Sequence, residues 1–450
     1  MVKSILWGFT SRKRIFVAFL SFNFLGFGLI ACGGSGSSAG GSGSGTIGTG
    51  GGTAPNGSAS SVNITGGNTA FSAPLGIGVD GSGNIWVVNS GSNFGNSVTE
   101  LTKASNFSPS SAINLSGGST GFEASKFLAI DGSGNIWITN GLKSNSVTEL
   151  TKASGYSAAR ALNIPGFDGT GGLIADGAGN IWVPSFYGDA VIELPYTAIS
   201  ASNATVASIS AAAIVIGNGS TGFSNPTMAA VDGSGNIWIT NTSFTNNSCN
   251  MCGSITELTK ASGYSAARAI NISGWGGSKV LPLGIAIDHA GNVWMTGLIQ
   301  AGTPSAAYAV TELTKASGYA PQSAINISVL PTVAGGGPAG LALPTGIAVD
   351  GADNIWVADS GLTLSGGAPS VASGGVTELT KASGYSATSA KVFSGGTTDL
   401  ATPIGIAIDG QGNVWVTNGN ISLTGNTLNG SGGSVTELIG VAVPVTPPLL

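Results

Sequence analysis

The chain has 450 residues, with 75 glycines, 42% apolar residues and only 8% charged ones. That balance excludes a disordered chain, which would carry more charge and fewer aliphatics, and a helical one, which would be rich in Ala, Leu, Glu and Lys at 3.6-residue spacing. The net charge of −5 is unevenly spread, because residues 1–31 hold Lys3, Arg12, Lys13 and Arg14 and no acid, leaving 11 basic against 20 acidic residues (net −9) for the rest. An acidic body without basic runs offers no electrostatic footprint to nucleic acid or to anionic lipid headgroups, and neither is expected to bind it.

Residues 1–31 read as a signal peptide. Arg12-Lys13-Arg14 forms the positive region, and the apolar stretch from Ile15 to Ile30 is too short and too interrupted for a membrane span. Leu29-Ile30-Ala31-Cys32 resembles a bacterial lipobox, which makes Cys32 the expected site of lipidation and membrane attachment. Residues 32–60 are nearly all Gly, Ser, Thr and Ala, the composition of a flexible tether with a reach of roughly 30 Å. Gly33 is not the Asp that commonly retains lipoproteins at the inner membrane, so the cell envelope, with outer-membrane placement favoured, is the expected location.

From residue 61 to 440 the chain repeats itself. Seven times an apolar run ends in Asp, crosses a Gly-rich turn and re-enters an apolar run bearing Trp, as in GIGVDGSGNIWVVN. The aspartates are Asp80, Asp131, Asp176, Asp232, Asp288, Asp350 and Asp409, and a Trp stands six residues after each. A third run such as SVTELTKAS carries a Glu (Glu100 in the first unit), and a fourth such as SAINLSGG closes the unit. Each unit predicts four short strands over about 55 residues. Strands apolar on both faces fit sheets stacked around a ring.

The last unit has three strands and then a Pro-rich tail, residues 441–450, while SVNITGG at 61–67 matches the missing fourth strand. The prediction is therefore an all-β fold, a seven-bladed β-propeller of four-stranded blades, with the N-terminal strand completing the last blade. PLGIGVDGSGNIWVVN and its sisters resemble NHL-type repeats, and the whole run of roughly residues 62–440 is similar to the streptogramin lyase (virginiamycin B lyase) family. For the lyases the resemblance implies linearisation of a cyclic depsipeptide by a histidine base and a magnesium ion held partly by glutamate.

The candidate site residues must be weighed against that implication. Loops between second and third strands vary in length, which marks their face as the place for binding. The strand ends opening onto it are Asn89, Asn140, Ser185, Asn241, Gly297, Asp359 and Asn418, a polar ring with neither His nor Glu. No catalytic residue can be carried over, and the ring suits a neutral glycan, peptide or protein ligand. The only histidine, His289, falls in a first turn, on the opposite face. The repeated Asp reads as a turn device, the repeated Trp as a core wedge, the repeated Glu as a polar contact at the blade edge, and Trp275 as packing. Cys249 and Cys252, close together in a polar loop, suggest a local disulfide rather than a metal or redox site. The leading expectation is a monomeric binding or scaffold module without cofactor or metal. A lyase or hydrolase is the second reading.

Overall fold

Each hairpin of the protein is tied by the carboxylate of its repeated aspartate. In the first blade Asp80 Oδ1 accepts the amides of Ser82 and Asn84, and Oδ2 accepts Asn84 Nδ2 and Trp86 Nε1 at 3.1 Å. One side chain thus closes the turn and anchors the core tryptophan. The Trp Nε1 bond recurs in all seven blades at 2.9–3.1 Å. The turn ends on a residue of positive φ, such as Gly83 at +82°, a conformation that costs glycine little.

The computed structural model describes residues 46–50, 59–91, 96–141, 144–217, 221–243, 253–275, 279–300, 307–328, 341–363, 370–371, 374–394, 400–424, 427–430 and 432–445. They form seven antiparallel four-stranded blades. The first blade runs Pro74–Val79, Ile85–Asn89, Ser97–Leu101 and Ile113–Leu115 from the axis outward. In the seventh, Pro403–Ile408, Val414–Asn418 and Ser434–Leu438 are completed by Ser61–Thr65 from the N-terminal side, in the register Ser61↔Leu438 to Ile64↔Val435. The closure predicted from the repeat count is present.

The blades pack through their tryptophans, all seven of them fully buried. An aromatic from the next blade meets most of these rings edge-on: Tyr156 on Trp86, Tyr264 on Trp182, Tyr319 on Trp238 and Phe107 on Trp415, each with centroids 4.6 Å apart. Where this wedge is missing, other residues take its place. The short helix Val206–Ala212 brings Ile209 against Trp137. The C-terminal segment brings Ala442 and Val445 against Trp356, and Val443 N donates to Asp350 Oδ2 at 3.1 Å. The stretch read from sequence as a separate tail is therefore part of the ring as far as Val445. Within the predicted tether, Thr46–Gly50 pairs with Ser61–Thr65 as a fifth strand on the last blade.

The repeated glutamates also differ from expectation. Glu100 lies opposite Trp86, and it and its equivalents are buried or half-buried inside the blades rather than at the blade edge. Burial, and secondarily the nearby turn aspartate, pushes Glu100, Glu149, Glu312 and Glu437 up to about 7. Glu378 instead pairs with Lys391 Nζ at 2.8 Å.

Candidate functional site

The inner strands are irregular in six of the seven blades, where the register slips between the residue six before the aspartate and the residue three before it, as between Pro403 and Ile406. Most of the intervening residues, Leu75, Gly76 and Met228 among them, border the axis. Glycine fills the second of those places in four of the six, as Gly76, Gly284, Gly346 and Gly405, and Gly172 holds the same position in the third blade. There the neighbouring strand comes very close, and a Cβ on Gly405 would lie 2.3 Å from Leu75 O. Only a residue without a side chain permits that approach.

The second and fourth blades break this pattern with Phe127 and Met228. Both reach toward Gly172 of the third blade, where an added Cβ would meet Met228 Sδ at 2.5 Å and Phe127 Cγ at 3.7 Å. The inner strands enclose an axial cavity of about 250 Å³ with a predominantly apolar lining that includes Leu75, Leu283, Ile404 and these two side chains. Lys126 is the one ionisable residue in that lining. Burial lowers its ammonium to about 8, because an apolar wall solvates the charge poorly. Its own surface is only half-buried, since part of it faces the cavity.

The predicted polar ring lies elsewhere. Asn89, Asn140, Asn241 and Asn418 are fully buried, and each spends its amide nitrogen on a Ser and a Thr of the third strand. Asn89 Nδ2, for instance, donates to Ser97 Oγ at 3.1 Å and Thr99 Oγ1 at 2.9 Å, and Thr99 Oγ1 donates onward to Thr69 O. Ser185 is buried and bonded to the backbone of Asp168. Asp359 is also buried, accepts the amides of Ala342 and Gly361, and is pushed up to about 7 by burial. The asparagines join strands within a blade and Ser185 and Asp359 hold adjoining loop backbone, so these residues are buried where the sequence reading had them opening onto the loop face.

His289 sits in the first turn of the fifth blade, on the face opposite the loops, as the repeat predicted. Trp275 is buried and donates to Gly253 O at 2.9 Å, the packing role expected of it. Cys32, Cys249 and Cys252 lie outside the described residues. Among the described residues no three His, Cys, Asp or Glu side chains gather as a metal site, and no helix is long and apolar enough to cross a membrane. Sequence reasoning missed Lys126, Phe127 and Met228. The signal was there: Phe127 and Met228 are departures from a repeated glycine, and Lys126 is a charge in an apolar run.

No family model matches the chain, and no curated protein matches it by sequence. The fold does match solved structures. It is similar to streptogramin B lyase at a TM-score of 0.51 and 16% identity, covering 81% of this chain and 93% of that one. A catalytically inactive histidine-to-alanine variant of virginiamycin B lyase from Staphylococcus aureus, with quinupristin, matches at a TM-score of 0.54 and 15% identity, covering 84% and 98%. PorZ, a bacterial surface component of the type-IX secretion system of Porphyromonas gingivalis, matches at 0.51 and 13%, covering 79% of this chain and 45% of that chain. At these identities the likeness establishes the architecture alone: a seven-bladed propeller similar to that of the lyases.

Proposed function

We propose that the protein is an exported, lipid-anchored binding module that takes an apolar group of its ligand into the axial cavity. One observation carries this reading: the inner strands leave an apolar cavity of about 250 Å³ on the axis, with Lys126 as its single ionisable lining residue. A space of that size suits a side chain or acyl segment. Burying one Leu-sized group there contributes about 1.5–3 kcal/mol, or roughly 10- to 100-fold in affinity. Anchoring through Cys32 would place the module at the cell envelope.

The test is a calorimetric screen of apolar peptides, glycolipids and acyl chains against the protein and an Ile404→Phe variant that narrows the cavity. A ligand whose affinity falls about tenfold or more in the variant supports the reading. Ligands that bind both forms equally would place the site elsewhere.

A catalytic second reading is favoured by Lys126, whose amine, lowered to about 8, can take up a proton near neutral pH. Lys126→Met would separate the two readings: unchanged ligand affinity with lost turnover marks an enzyme.

A further inference from the structure

The face opposite the variable loops collects exposed cations, although the body as a whole is acidic. The connection after the third strand places a lysine at one position in five blades: Lys103, Lys152, Lys260, Lys315 and Lys381, all exposed. The backbone N–H at that position donates to the turn asparagine of its own blade at 3.0–3.1 Å, which fixes the five at equivalent places around the ring. In four of them the lysine stem lies over the turn glycine, where a Cβ on Gly235 would be 2.9 Å from Lys260 Cδ. Arg160 and Arg268, both exposed, stand farther out in the same connections.

The acids of this face point inward. The turn aspartates and their partner glutamates are buried or half-buried, and Asp353 is buried as well. The exposed acids among the described residues, Asp168 and Asp189, belong to the loop side. The third and seventh blades lack the lysine: Tyr196 takes its place in the third, and in the seventh Gly440 does, with exposed apolar residues beside it. Tyr196, 42% exposed, lies over Gly179, and Ile439 and Val443 are 44% and 41% exposed. Along the rim, Ile113, Ile270 and Ile325 open their outer strands and are about half exposed.

Coplanar lysines and arginines interspersed with an exposed Tyr and aliphatics are what a bilayer surface attracts, by charge at the phosphates and by apolar contact just beneath them. A soluble polyanion would be served by the charges alone and would leave the apolar groups unexplained. We infer that this turn face is a docking surface for an anionic phospholipid bilayer, holding the propeller face-down on the membrane with its variable loops pointing away.

The test uses the full chain mixed with phosphatidylcholine vesicles or with vesicles also containing phosphatidylglycerol, followed by amine acetylation read residue by residue by mass spectrometry. On anionic vesicles Lys103, Lys152, Lys260 and Lys315 should be acetylated several-fold more slowly, with Lys279 at the loop side unaffected and the protection lost at high salt. A chain carrying Lys103→Gln, Lys152→Gln, Lys260→Gln and Lys315→Gln keeps the stems over the glycines. It should show no difference in the acetylation of its remaining Lys381 between the two vesicle types. Equal rates on both vesicles, or equal protection of Lys279, would overturn the assignment. So would protection by inorganic polyphosphate but not by anionic vesicles.

Discussion

His289 of the fifth blade and Asp353 of the sixth meet across the blade boundary, and each departs from the repeated turn of its own blade. His289 stands where all six of its sisters have the first turn glycine, and Asp353 stands where its sisters have the glycine of positive φ, itself at +63°. The carboxylate accepts His289 N at 2.9 Å, meets the ring Nδ1, and accepts Lys381 Nζ at 2.8 Å. Burial would raise Asp353, but the bonds from Lys381 and His289 outweigh it and hold the acid below its ordinary value.

Because the histidine ring is 69% exposed, this contact should add little to stability. His289→Gly should cost less than about 1 kcal/mol in denaturant unfolding and leave ligand binding unchanged. At Asp353 the backbone decides. Asp353→Gly should be about 1 kcal/mol more stable than Asp353→Ala, since alanine keeps the cost of positive φ without the partners. The reverse order would show that the turn does not require that conformation.

The aspartate–tryptophan bond predicts a much larger effect. Asp131→Ala would strand the amides of Ser133 and Asn135, Asn135 Nδ2 and the buried Trp137 Nε1. The expected loss is about 3–5 kcal/mol, read as a lower urea midpoint. A change under about 1 kcal/mol would mean that solvent replaces the carboxylate at no cost.

The buried glutamates set a pH dependence. Glu100, Glu149, Glu312 and Glu437 rise from 4.5 to about 7 in the folded protein, so folded chains bind protons more tightly than unfolded ones across that window. Their contribution is complete below about pH 4.5 and is lost as pH rises through about 7. Urea midpoints should fall between about pH 5 and pH 8. Glu149→Gln, which mimics the protonated acid, should be more stable than the parent at the upper pH and reduce the slope. A parent midpoint that climbs over this range would contradict the burial argument.

Ring closure can be tested at Ile64, which is 1% exposed within the strand that completes the last blade. Ile64→Ala should cost about 2–4 kcal/mol. Deletion of residues 61–65 should cost more, and a synthetic peptide of residues 59–67 added in trans should restore part of the loss. No rescue, together with an unchanged midpoint on deletion, would rule out the closure.

The repeat made the architecture legible, because a seven-fold Asp-to-Trp spacing is a pattern in sequence before it is a bond in space. The polar ring was misread for a physical reason. Asn89 and its sisters were placed at the correct strand ends, but the Ser and Thr that take up their amide nitrogens lie on the next strand, and sequence spacing does not reveal which way an amide turns. The buried glutamates were misread similarly, since mid-strand acids look solvated until a neighbouring blade covers them. The axial cavity had a weaker trace in the replacement of glycine by Phe127 and Met228. The basic face was concealed by net charge, because the acids that outnumber the lysines are largely buried.

Pairing Ser61–Thr65 with Ser434–Leu438 also orders events in time. During synthesis the closing strand is made before its partner, so it waits while six blades and the first two strands of the seventh follow. Until then the ring is an open arc with unpaired strands at both ends, a form that proteases attack and that aggregates through its edges. A chain cut short before residue 434 lacks the partner of Ser61–Thr65 and leaves that edge of the last blade open. Closure therefore makes completion of the last blade depend on strands from both ends of the repeat array.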